Sequence, residues 1–294
     1  MEKNILILAV ATLLVSGCNK IDEFTMPEEG VMQITALHPS TTRATATGFE
    51  SGDKIGIYVT DYAGEVATPL QISGNWANNV EATYNGSAWN LAKKIFWSDN
   101  KMDVYGYYPY MTPASIDEHP FSVALDQSIE GANGELGGYE ASDFLWAKAT
   151  GVTKDDENVE LEFNHRCSKL IIKLVKGADY KGDFPSASEF FIHNVVPTAT
   201  IDFTTGAVVK DVFGEPATIK AHKVDDGTFE AIIIPQRMTS RLPFLELVAK
   251  DISYLVEDKF TFVAGKCHTI QLIINSSPDQ VEIQIGGDVG GGWN

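Results

Sequence analysis

Residues 52–60 read "GDKIGIYVT". After a Gly-Asp turn signal, Ile55, Ile57 and Val59 alternate with Gly56, Tyr58 and Thr60, which is the period-two pattern of a strand. The same alternation recurs in "VEATYNGSAWNL" (80–91), "DVYGYYPY" (103–110) and "DFLWAKA" (143–149), separated by Gly, Asn, Asp and Pro. Asn85-Gly86 is the dipeptide of a two-residue hairpin turn. A second set of runs covers "VELEFNHRCSKLIIKLV" (159–175), "FFIHNVV" (190–196), "ATIDFTTGAVV" (199–209) and "TFEAIIIPQ" (228–236). It continues through "PFLELVA" (243–249), "YLVEDKFTFVAGK" (254–266) and "HTIQLIINS" (268–276). Strands about ten residues apart with turn residues between them predict an all-β chain built of β-sandwiches.

The strongest interruption is "KGADYKGDFPSAS" (176–188), rich in Gly, Asp, Pro and Ser. It predicts two domains, 31–177 and 178–294. The chain closes on "VEIQIGGDVGGGWN" (281–294), where Val281, Ile283 and Ile285 share one face of a strand before a glycine-rich end with Trp293. Nothing follows that strand to cover it, and uncovered edges are usually protected.

At the other end, "MEKNILILAVATLLVSGC" (1–18) has a short polar start with Lys3, an apolar run and small residues before a cysteine. This is the layout of a secretory signal, shorter than the roughly 20 apolar residues of a spanning helix. "VSGC" resembles the lipobox of bacterial lipoproteins. The resemblance implies removal of residues 1–17 and a lipid on Cys18, hence an exported, membrane-anchored precursor. "CNKIDEFTMPEEG" (18–30) is polar and acidic, as suits a tether. Next comes "VMQITALHPSTTRATATG" (31–48), a strand that loosens into a threonine-rich run. Pro39 and the threonines oppose helix there, so Arg43, one of four arginines in the chain, sits in an exposed link open to proteolysis.

The chain carries 40 acidic against 22 basic side chains and a formal net charge of −18. That balance excludes nucleic acid as a partner, because binding by counterion release needs a positive surface. Cys167 and Cys267 lack metal-ligand spacing and leave open either a disulfide or two small buried hydrophobes. No nucleophile-elbow, zinc, P-loop or dinucleotide motif is present, and no cofactor, metal or catalytic residue is assigned. His165, Ser168 and Lys169 lie too close along one strand to form a triad by themselves. "KDDENVE" (154–160) reads as a solvated turn more readily than a calcium loop. The aromatics of "FWSDNKMDVYGYYPY" (96–110) read either as core or as a sugar-stacking platform.

Taken in order, "TTRAT", "GDKIGIYV", "FW…VYGYYPY", "DFLWA", "VELEFNHRCSKLIIKLV", "IIIPQ" and "FVAGKCHTIQLII" resemble the fimbrillin-like, or Mfa-like, surface proteins of Bacteroides-type bacteria. The resemblance implies two tandem transthyretin-like β-sandwich domains in a subunit of a surface fimbrium. It implies a lipoprotein precursor at the cell outer membrane and a trypsin-like protease that cuts between Arg43 and Ala44. The first strand and the lipid would leave together, and a strand from another fimbrial subunit would fill the groove. Val281, Ile283 and Ile285 are the candidate donor strand. Two other readings stand beside this one. The first is a monomeric lipid-anchored module that binds a host glycan or protein through residues 96–110. The second is a secreted hydrolase with an unrecognised carboxylate pair.

Overall fold

The computed structural model describes residues 30–38, 48–250 and 252–275, together with the backbone of 282–284. Among these residues the first half supplies β1 (Ile34–Leu37), β2 (Lys54–Ala63), β3 (Val66–Ala67), β4 (Ala77–Tyr84) and β5 (Trp89–Leu91). It continues with β6 (Met102–Tyr108), β7 (His119–Ser122), the one-turn helix α1 (Gly138–Ala141), β8 (Leu145–Val152), β9 (Val159–Glu162) and β10 (Asn164–His165). The second half supplies β11 (Ser168–Lys176), β12 (Glu189–Val195), β13 (Thr198–Asp202), β14 (Ala207–Lys210), β15 (Ala217–Lys220) and β16 (His222–Lys223). The last five are β17 (Thr228–Ile233), β18 (Gln236–Ala249), β19 (Ile252–Phe262), β20 (Cys267–Ile274) and β21 (Glu282–Gln284). Among the described residues the chain is nearly all-β, with α1 as a single helical turn, as its alternation predicted.

One sheet runs β10-β8-β6-β2-β4-β5, with β3 folded back on β2. A five-stranded sheet runs β16-β17-β11-β20-β21, a four-stranded one β15-β12-β18-β19, and a three-stranded one β14-β13-β7. The five- and four-stranded sheets pack their apolar faces into one cluster. Leu170, Ile172, Ala231 and Leu272 come from the first, and Phe190, Ile192, Leu245 and Leu247 from the second. This is the two-layer solution for sheets with one greasy face each.

The strand 54–63 departs from simple alternation. All of Ile55 to Thr60 is buried, and so is every residue of β6. Ile55, Ile57, Val59 and Val104 face one cluster, whereas Tyr58, Tyr105 and Tyr107 face the cluster built by the second half. Both faces are covered because Ile116, Val123, Phe144 and Phe203 join the cluster on the tyrosine side, where Tyr107 and Phe203 meet edge-on at 4.7 Å.

The sheets do not change at 177–178. β11 precedes that point, yet it pairs antiparallel with β17 and parallel with β20, so the change of sheet falls at residues 166–168. β7 likewise pairs with β13 across the expected boundary. Gly and Pro mark loops, and 177–188 is a loop that joins β11 to β12, two strands of the second half. Arg166-Cys167 carries no such punctuation. At 85–88 the hairpin is a four-residue loop, with Tyr84 opposite Trp89 and the Asn85 side chain accepting from the Ser87 and Ala88 N–H groups.

Candidate functional site

The first strand and the groove that holds it form the candidate site. Met32, Ile34 and Ala36 alternate inward and are buried beside Val159, Leu161, Phe163 and Ile95. β1 runs parallel to β9, with Ile34 opposite Val159 and Leu37 opposite Glu162. Among the described residues its ladder has β9 alone, with an isolated bridge between Val31 and Phe96 at its start. The Val159 N–H donates to the Gln33 carbonyl (2.8 Å), the Phe163 N–H to the Leu37 carbonyl (3.0 Å), and the Met32 N–H to the Ile95 carbonyl (2.8 Å). Gly106 makes room for this groove: a Cβ there would stand 2.8 Å from Leu161 Cδ1 and 2.9 Å from Phe163 Cζ.

Removing β1 would return Met32 and Ile34 to water. At about 1.5–3 kcal/mol for each large side chain, that costs roughly 3–6 kcal/mol before any ladder bond is counted. Domains have total margins of about 5–15 kcal/mol, so an empty groove would be hard to sustain.

Beyond Leu37, the His38 ring meets Phe49 edge-on at 5.0 Å and His165 at 5.7 Å. A cavity of about 240 Å³ opens there, lined by His38, Phe49, Glu50, Asp53, Tyr108 and Asp143 among others. Burial raises the Asp53 carboxyl above the usual range, partly offset by hydrogen bonds from the Glu50 N–H and the Tyr108 hydroxyl. Desolvation likewise pushes the Tyr108 hydroxyl up. His38 and Gly48, which flank residues 39–47 in sequence, both stand on the wall of this cavity. Arg43 and Ala44 lie outside the described residues, as do Cys18, Val281 and Ile285. Ile283 is in β21, opposite Leu272 at the antiparallel edge of the five-stranded sheet.

The other residues singled out by sequence are dispersed. His165 Nδ1 lies 2.9 Å from Asp143 Oδ1, while the Ser168 hydroxyl turns to the Lys266 carbonyl at 3.5 Å. Cys167 and Cys267 are free thiols, both held above the ordinary thiol range by burial. Asp156 of the acidic run caps its own turn by accepting the Thr153 N–H (2.7 Å). Among the described residues no group of His, Cys, Asp and Glu is placed to hold a metal.

Tyr105, Tyr107 and Tyr108 of the aromatic block are core, whereas Phe96 is exposed, and this corrects the platform reading for Tyr107. Its ring is 1% exposed and folds over Gly56, its cross-strand partner. Its hydroxyl donates to the Met111 carbonyl (2.7 Å) and bonds the Asn79 side chain. A sugar has no access to that face.

Three polar devices went unseen in the sequence. Lys169 and Glu230 form a buried ion pair (2.8 Å), to which the Tyr139 hydroxyl on α1 donates (2.9 Å). Buried Gln127 accepts the Ile232 N–H (2.8 Å) and donates to its carbonyl (2.7 Å), so its amide acts as a short stretch of neighbouring strand. Gln236, from the "IIIPQ" run, does the same for Val196. A polar residue inside an apolar run is the only trace such devices leave in sequence.

A family model described as fimbrillin-like matches residues 42–290. No curated protein matches the sequence. Among solved structures, the fold is similar to a candidate cell adhesion protein from Bacteroides uniformis, at 22% identity and a TM-score of 0.66, covering 88% of this chain and 97% of that one. It is also similar to a candidate cell adhesion protein from Bacteroides ovatus, at 19% identity and a TM-score of 0.65, covering 86% and 95%. A fimbrial protein from Bacteroides ovatus matches at 16% identity and a TM-score of 0.50, over 82% of this chain and 48% of that one. At these identities the solved structures share the fold, whereas the family model spans most of the sequence: the chain belongs to the fimbrillin-like family.

Proposed function

We propose that the chain is a structural or adhesive subunit of a surface fimbrium, exported as a lipoprotein and activated by loss of its first strand. The observation that carries this reading is β1 itself, a strand buried through Met32, Ile34 and Ala36 yet, among the described residues, laddered to β9 alone. The link from His38 to Gly48 contains Arg43, the basic side chain a trypsin-like protease would read. Cutting there would free the strand together with the lipid on Cys18, which anchors the precursor at the outer membrane.

The emptied groove then offers unpaired backbone groups of β9 and an apolar floor of Val159, Leu161 and Ile95. An extended segment from another fimbrial subunit satisfies both at once. Val281, Ile283 and Ile285 supply the matching alternation. In the described fold Ile283 is held only at a sheet edge, from which a strand is released at less cost than from a sheet centre.

The deciding experiment is intact mass and terminal sequencing of the protein recovered from the native cell surface. A chain beginning at Ala44 supports a polymerising subunit. A lipidated Cys18 that persists after protease exposure overturns the maturation step and leaves an anchored surface protein.

A further inference from the structure

Phe213 is 90% exposed and Val212 75%, at the tip of the loop that follows β14. The loop is braced. The Asp211 N–H donates to the Thr198 carbonyl (3.0 Å), and the Phe213 N–H to Asp211 Oδ1 (2.9 Å). Gly214 lies so close to Val196 and Thr198 that a Cβ there would collide with both. Two apolar side chains are thus held outward on a rigid base, with the carboxylates of Asp211 and Glu215 on either side.

A second feature fits this one. Beside β4 lies a cleft of about 310 Å³ with Val80 and Ile95 in its floor and exposed Trp76 and Phe96 as its walls. The Trp76 indole N–H donates to the Phe96 carbonyl (2.7 Å), so the walls are tied together. At about 30 Å³ per water the cleft holds roughly ten waters, room for one phenyl side chain. Lys93 and Lys94 stand on its rim, two adjacent cations in a strongly acidic chain.

We propose that the Val212–Phe213 prong of one copy seats in the Trp76/Phe96 cleft of a second copy of this chain. Asp211 and Glu215 then meet Lys93, which sets the orientation and rejects surfaces of the same acidic sign. Prong and cleft belong to different sheets, so each copy uses one surface to give and another to receive. Contacts of that kind propagate along a chain of copies rather than closing in a pair. The contact leaves β1 in place and therefore stands independently of the strand exchange proposed above.

The test places a photo-reactive benzoylphenylalanine at position 213 of the full chain, in the natural background and with Arg43→Ala, and maps the crosslinked peptides. Dimers joined to peptides within residues 76–96 in both backgrounds are expected. Phe213→Ser and Lys93→Glu should each weaken self-association in sedimentation by about tenfold or more, the scale of one buried aromatic side chain. Lys93→Glu mixed with Glu215→Lys should associate again. Crosslinks elsewhere, no crosslinked dimer, or unchanged association of Phe213→Ser overturns the proposal. Failure of strand exchange would show only in the mature N-terminus and would leave the crosslinks as they are.

Discussion

Strand β6 and the loop at 211–214 invert the usual expectation for aromatic residues. β6 packs three tyrosines into seven residues and buries all of them, whereas the loop carries one phenylalanine and presents it to water. The difference lies in what surrounds each segment. β6 has β2 and β8 on its two sides and packed layers on both faces, and Gly56 leaves the hollow into which the Tyr107 ring folds. The loop rests its base on Thr198 and Val196 and leaves its tip uncovered. A dense aromatic run is a signature of core. A solitary aromatic in a turn is the better sign of a surface that meets something else.

The comparison breaks most visibly at Tyr107. Tyr107→Ala is expected to cost about 3–5 kcal/mol in chemical unfolding, since it empties a packed site and strands the Asn79 side chain. A loss below about 1 kcal/mol would mean that the face is not core. Gly56→Ala should cost about 1–3 kcal/mol, because the Tyr107 ring occupies the place of the new methyl and its anchored hydroxyl keeps it from retreating.

A pH series sharpens the same contrast between buried and exposed groups. Burial lowers the His268 imidazole below its usual 6.5, and Nε2 accepts the Val263 N–H (3.2 Å), which requires the neutral ring. The unfolded chain takes up the proton first. Stability present above about pH 6.5 is therefore lost as pH falls through the lowered folded value. His268→Gln should flatten that part of the stability–pH curve, and an unchanged curve would remove His268 as its source. The smallest effect belongs to Phe213→Ser, which should leave stability within about 0.5 kcal/mol, as expected for an exposed position.

Much of the fold was legible because short strands leave a period-two trace. "KIGIYVT" became β2 and "HTIQLII" falls within β20, and turn residues separated most of the strands. The order of strands in the sheets was not legible. Nothing in "SKLIIKLV" says that its neighbours are β17 and β20, more than fifty residues downstream. For the candidate site, the inward side of residues 31–37 could be read from Met32, Ile34 and Ala36. The parallel partner β9 could not, because it lies more than a hundred residues away.

By itself, the sequence determined what local chemistry encodes: strands, turns, the signal-like start, the arginine in a threonine-rich link and a strongly negative net charge. Only the tertiary structure decided which face of each strand meets protein and which meets water. It buried Tyr107 and exposed Phe213, paired Lys169 with Glu230, and placed a change of sheet at residues 166–168. The physical reason is that burial is settled by the elements that pack against a strand. In this chain those elements are mostly distant in sequence.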